Sequence, residues 1–211
     1  MRTLIFSAIL ILLVSFKSTA QTDTIQPINL LDEIAASDKD NMPLLPNNIM
    51  PTQKLLWGAK GLMRNFDYFE LTPSKRQREL KIRRHMLITH QAIGFATLGA
   101  MIAQGIVGAR LYSGDKNLKD LHETLGAVVN VCYFTTASLA LFAPPKMLDE
   151  RKGYSSIKLH AALAVIHLST MIATNILAGQ LESNPKLRSY HRATAYTAFG
   201  SFAAAMIVIK F

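Results

Sequence analysis

The chain has 211 residues, half of them apolar and only 18% charged, with a mean hydropathy of +0.20 and a net charge of +9. That balance leans towards membrane proteins, and the mean hides a polar first third ahead of a strongly apolar remainder. Nucleic-acid binding is excluded as the meaning of the charge: most Lys and Arg flank apolar stretches, where anionic headgroups account for them, and no recognition motif accompanies them.

Residues 1–20 place Arg2 ahead of an apolar core from Leu4 to Phe16, then the small residues Ser18, Thr19 and Ala20. A membrane span needs about 20 residues, so this shorter core reads as a secretory signal peptide cleaved before Gln21, with an uncleaved anchor as the alternative. Residues 21–50 are rich in Asp, Asn, Pro and Ser and read as an extended polar tether. Residues 51–85 form an amphipathic, interfacial segment. Between Thr52 and Phe69, Leu55, Leu56, Leu62, Met63, Phe66 and Phe69 recur at roughly helical spacing among Lys54, Lys60 and Arg64. This predicts a short helix on the membrane surface anchored by Trp57 and Tyr68; docking of a partner and packing against the helix bundle are the alternatives. Ser74 opens the charged run SKRQRELKIRRH in the manner of a capped helix, which continues into the first span.

Four apolar stretches follow, at about Met86–Leu111, Leu121–Ala143, Ile157–Leu181 and Tyr190–Ile209. Each is long enough for a hydrocarbon core of about 30 Å at 1.5 Å per residue. Short connections make neighbours antiparallel, so residues 86–211 are expected to form an all-α membrane core, an antiparallel up-down four-helix transmembrane bundle. Gly94, Gly99, Ala100, Gly105 and Gly108 allow close packing of the first helix. Cys132, the single cysteine, is a small packing residue, and without a Cys-x-x-Cys-His site c-type haem is excluded.

Histidine is costly in a bilayer and marks function there. His90, His122, His160 and His191 are spaced 32, 38 and 31 residues apart, one near the start of each span. Alternate helices run in opposite directions, so His90 and His160 share one membrane side and His122 and His191 the other. Two facing imidazoles without carboxylate or thiolate suit the iron of a haem with both axial positions filled, which carries electrons and binds no substrate; zinc would want further ligands. At those depths two irons would lie roughly 15–20 Å apart along the normal. Interhelical hydrogen bonding is the plainer reading of the same four residues. No nucleophile–base arrangement stands out, so no catalytic residue is assigned.

One histidine on each of four consecutive spans, at alternating depth, resembles the core of the cytochrome b561 family and related di-haem membrane cytochromes, over about Met86 to Phe211. Gly94 and Gly126, each four residues after a histidine, fit the resemblance, since they leave room for a flat macrocycle on the ligand's face; Ala164 and Ala195 hold those places in helices three and four. The resemblance implies two haem b groups and electron transfer between a donor, such as quinol or a soluble carrier, and an acceptor. It also implies contact with membrane lipid. The flanking helices and ascorbate-binding features of animal and plant members are not found here. A haem-free membrane scaffold or assembly subunit is the alternative from a different class.

His167, one further heptad along the third span, is either a hydrogen-bond partner of Asn130 or the ligand in place of His160. His85 reads as a headgroup or propionate contact, and Arg84, Lys158 and Arg192 as candidates to pair propionates, though most such residues are solvated. The signal peptide puts residues 21–85 outside the cytoplasm of a bacterial inner membrane, where they would meet a periplasmic partner or cap a redox site. Ten Lys and Arg residues on that side against six on the other argue for the opposite orientation; the three-part signal pattern is given precedence.

Overall fold

The computed structural model describes residues 43–147 and 153–210. The expected signal peptide, and the tether up to residue 42, lie outside the described residues. Every regular element among the described residues is helical: α1 (Pro51–Trp57), two 3-10 turns at Leu62–Asn65 and Asp67–Phe69, α2 (Pro73–Tyr112), α3 (Lys119–Leu141), α4 (Ser156–Ala178) and α5 (Arg188–Lys210). The last four are each long and apolar enough to cross a membrane, which is the mark of an integral membrane protein. The expected all-α four-helix architecture is the one the chain adopts.

Local chemistry explains the helix ends. α2 begins one residue before the expected Ser74: Pro73 takes the first position, where its missing N–H costs nothing, and the Thr72 hydroxyl accepts the Lys75 N–H at 3.4 Å. From there α2 runs for 40 residues without a break into the bilayer. Gly114, at φ 110°, turns the chain towards α3. α3 stops at Leu141 because Ala143 precedes Pro144-Pro145, and a residue before proline avoids the helical region. The Ser155 hydroxyl caps α4 by accepting the Lys158 N–H.

Packing is closest within two hairpins, α2 with α3 and α4 with α5, while α2 touches α5 more sparsely. The hairpins repeat one pattern. Seven residues after His90 and His160 stand Thr97 and His167, and eleven after them Met101 and Met171, all four buried. Seven, eleven and fourteen residues after His122 and His191 stand Val129 and Ala198, Tyr133 and Phe202, Thr136 and Ala205, again all buried. Each second helix also follows a 3-10 turn at the same register, Lys116–Leu118 and Pro185–Leu187. The core is thus a stack of matched layers between two similar hairpins, as in membrane folds built from parallel repeats. Outward positions such as Val131 and Val165 are apolar and more than two-thirds exposed, as a lipid-facing surface requires.

At one end, residues 44–72 cover the bundle. They do not form the surface helix expected from Thr52 to Phe69. α1 ends at Trp57, and the rest folds back in two short turns. Trp57 is 5% exposed and its indole N–H donates to the Phe142 carbonyl at 2.9 Å, so it docks this segment on the bundle end instead of anchoring it in headgroups. The Thr52 hydroxyl donates to the Leu141 carbonyl at 2.7 Å. These are the carbonyls that the end of α3 leaves without a helical partner. Tyr68 stays exposed, with the Arg78 guanidinium 4.1 Å over its ring.

Beneath this segment lies a buried ionic knot. Glu79 is fully buried and accepts from Arg76 at 2.7 Å and also from Arg64. Arg76, 1% exposed, spends its other N–H groups on the carbonyls of Leu44, Pro145 and Lys146, and Arg83 donates to Pro144 at 2.7 Å. Arg64 donates to the carbonyls of Gly58, Trp57 and Phe69. A carboxylate so far from water is tolerable only with its partners in place. Arg76→Met is therefore expected to destabilise the protein by about 3–5 kcal/mol. Lys75→Ala, which removes an exposed pairing with Glu70, should stay within about 0.5 kcal/mol. Unfolding in detergent, with proteolysis of residues 44–72 as a second readout, compares the two.

Candidate functional site

The histidines expected to act together are brought to the two ends of the hairpin pair. The rings of His90 and His160 lie 6.3 Å apart between centroids with planes at 81°. Nδ1 of His90 donates to the Thr136 carbonyl of α3 at 2.8 Å, and Nδ1 of His160 to the Ala205 carbonyl of α5 at 2.9 Å. A carbonyl can only accept, so both rings carry their proton on Nδ1. The opposite ring nitrogen, Nε2, is left with a lone pair and faces away from the hairpin partner that holds Nδ1.

At the other end His191 repeats the arrangement, its Nδ1 donating to the Thr174 carbonyl of α4 at 3.0 Å. His122, near the start of α3, lies towards the same end. His122 is held differently. Its Nε2 lies 3.4 Å from the Gln104 amide nitrogen, and its Nδ1 is buried without a partner. Gly108 backs onto this ring so closely that a Cβ there would stand 2.8 Å from Cε1.

The glycines expected to make room for a macrocycle have distinct neighbours. A Cβ at Gly94 would make an ordinary 3.7 Å contact with the Thr136 methyl, whereas at Gly126 it would press on the Gln104 amide at 3.2 Å. His167 is bonded to Tyr133, not to Asn130: Tyr133 Oη and His167 Nδ1 share a hydrogen bond of 2.5 Å, both buried, with Phe202 against the imidazole. Asn130 pairs reciprocally with Asn175 across α3 and α4, at 2.7 and 3.0 Å. Arg192 lies over the rings of Tyr112 and Tyr196, at 4.4 and 5.6 Å, and Lys158 donates to the Gly153 carbonyl; Arg84 and His85 are exposed.

The fit to a haem can be judged on these distances. With an imidazole–metal bond of about 2 Å and the ligating nitrogen about 1.1 Å from the ring centre, two imidazoles across one metal have centroids about 6.2 Å apart. The His90–His160 separation matches that figure, and donation of Nδ1–H to a carbonyl is the support that keeps a ligating imidazole basic and oriented. Among the described residues no three of His, Cys, Asp and Glu gather as a metal site. Gln104, Tyr133 and Asn175 were missed by sequence reasoning; polar residues at core registers of apolar helices were the available signal. Comparison with family models, with curated proteins and with solved structures returns no match.

The Asn130–Asn175 pair joins one hairpin to the other. Asn130→Leu alone leaves Asn175 Oδ1 without its donor, while Asn175 Nδ2 keeps the Met171 carbonyl, and is expected to cost about 1–3 kcal/mol. The double change Asn130→Leu with Asn175→Leu should recover most of that loss, which a double-mutant cycle of unfolding in detergent measures.

Proposed function

We propose that the chain is a di-haem b membrane cytochrome that passes electrons between a donor at one membrane face and an acceptor at the other. The observation that carries the reading is the His90–His160 pair: two imidazoles from different hairpins, 6.3 Å apart, each with Nδ1–H held by a main-chain carbonyl. A haem held by two imidazoles supplies one-electron chemistry with no open position for oxygen or substrate.

His90 and His160 would hold one group and His122 and His191 the other, with Gly94 beside the first and Gly126 beside the Gln104–His122 contact. The carbonyls of Thr136, Ala205 and Thr174 fix ring orientation and tautomer and so make Nε2 the ligating atom. His160 is preferred over His167 because His160 faces His90 across the hairpins, while His167 spends Nδ1 on Tyr133. Arg192, next in sequence to His191 and lying over the rings of Tyr112 and Tyr196, would pair a propionate. Residues 44–72, packed on the end of the bundle nearest His90, would shield that site and present its outer surface to a periplasmic redox partner. In this reading the protein sits in a bacterial inner membrane with quinol or a soluble carrier as the reductant. The interhelical bonds of His90, His160 and His191 suit a haem-free assembly subunit whose histidines only pack equally well; the 6.3 Å separation of the His90 and His160 rings is what favours the haem reading.

Protein purified from haem-replete cells is expected to be red, with a reducible Soret and α-band spectrum and about two haems per chain. His90→Ala or His160→Ala should lower the content to about one haem, and so should His122→Ala or His191→Ala, leaving a different haem in each set. Colourless protein, or content unchanged in all four variants, contradicts the proposal.

A further inference from the structure

The first hairpin enters the bilayer through a stretch that its counterpart lacks. No Lys, Arg, Asp or Glu occurs from residue 85 to residue 109, a length of α2 sufficient to cross the hydrocarbon core. Arg83 and Arg84 are the last charges before it and stand at the level of the lipid headgroups. In the second hairpin the residues at the same distances from the first histidine, Gly153 and Tyr154, precede the start of α4 at Ser156. A helical basic face at this depth belongs to the first hairpin alone.

The arginines and the lysine just outside these two have acidic partners or an aromatic ring. Arg64 and Arg76 share Glu79, Lys75 pairs with Glu70, and Arg78 lies over Tyr68. Arg83 and Arg84 pair with no carboxylate among the described residues. Arg83 is half-buried and gives one N–H to the Pro144 carbonyl at 2.7 Å, while Arg84 is exposed.

Both arginines line a groove of about 370 Å³ together with Leu80, Leu87, Ile88 and Gln91. All six belong to α2, and their spacing in alternate steps of three and one makes them one face of that helix. The two guanidiniums sit above, and Leu87 and Ile88 follow one turn deeper, with Ile88 55% exposed. Arg84 and Ile88, six and two residues before His90, are turned roughly 120° and 160° from that ring's direction on the helix. This face is therefore separate from the histidine pair.

We propose that Arg83 and Arg84 bind the phosphate of an anionic phospholipid whose acyl chain lies along Leu87 and Ile88. A guanidinium meets phosphate oxygens through paired N–H groups, and two such forks on adjacent residues complement a single phosphate at a bilayer surface. The headgroup carries net negative charge, because Arg78 and Lys81, both exposed on the same helix, add to a positive field that disfavours a headgroup ammonium. Arg83 couples the lipid to the fold: the side chain that meets the phosphate also holds the Pro144 carbonyl, where the end of α3 carries residues 44–72. Nothing in this site depends on haem.

Native mass spectrometry of the full chain, released from vesicles of equal parts phosphatidylglycerol and phosphatidylcholine, tests the site. The wild type should retain phosphatidylglycerol in preference. Arg84→Gln and Arg83→Gln should each lower that retention by about fivefold, the worth of one basic side chain at an anionic surface. Ile88→Trp, which fills the groove and leaves its charge, should lower it as well. Arg78→Gln removes the same charge from another face and should change retention by less than about twofold, since surface charges outside the groove are screened. Excess inorganic phosphate should not displace the lipid, because it has no chain to lie on Leu87 and Ile88. Equal retention of the two lipids overturns the proposal, as does equal loss in Arg84→Gln and Arg78→Gln, which marks diffuse charge. Full retention in Ile88→Trp, or displacement by phosphate, overturns it too. Arg84 and Ile88 are exposed positions, so these two variants carry the test if Arg83→Gln fails to fold.

Discussion

An N–H group inside a bilayer has to find its acceptor within the protein, because lipid offers none. The arrangement of this bundle follows from how its histidines meet that demand. A carbonyl on the antiparallel neighbour of the same hairpin takes Nδ1–H of His90, of His160 and of His191. Each of these rings is thereby fixed to its own hairpin through Nδ1. Two hairpins built to one pattern then bring the rings of His90 and His160 within 6.3 Å of each other at one end. The matched layers of Thr97 and His167, Met101 and Met171, and Tyr133 and Phe202 fill the core between the hairpins.

The same accounting governs the end of the bundle. α3 breaks at Pro144-Pro145 and leaves a run of carbonyls from Leu141 to Lys146 that no helix can satisfy. Thr52, Trp57, Arg76 and Arg83 supply the missing donors. Glu79 compensates the charge that two buried arginines bring with them. The segment before α2 is therefore part of the fold, not an appendage to it. It also lies at the end of the bundle where Thr136, which holds His90, occupies the last turns of α3. Support of that histidine and closure of that end depend on one stretch of helix.

Much of this was legible in the sequence, for physical reasons that also mark the limit. Length and apolarity define a span almost by themselves, so the four helices and their antiparallel order could be read directly. Histidine spacing foretold which rings share an end, since depth in an antiparallel bundle is set by position along the helix. Depth alone did not identify partners. Asn130 lies at about the level of His167, yet the face of α3 that meets His167 is the one bearing Tyr133, and Asn130 turns to Asn175. The ionic knot was hidden for a different reason. Arg76 and Glu79 sit in a run of charges that reads as a solvated face, and their burial comes from residues 44–72 and the turn after α3 folding over them. Trp57 looked like a headgroup anchor because tryptophan serves equally well to bury a ring and donate one N–H, which is what it does here. The near equality of the 32- and 31-residue spacings was the visible trace of the repeated hairpin, and comparing residues at equal distances from each histidine would have exposed the core layers, Gln104 included.

The central claim is that facing imidazoles from two hairpins ligate haem iron. Low-temperature electron paramagnetic resonance of the oxidised, purified protein tests it most directly, because the signal reports both axial ligands and their relative planes. Ring planes at 81° for His90 and His160 predict the strongly anisotropic low-spin ferric signal of near-perpendicular imidazoles, lost in His160→Ala and retained in His167→Ala. A high-spin signal with an open coordination position, loss of the low-spin signal in His167→Ala instead, or no iron signal at all would contradict the account.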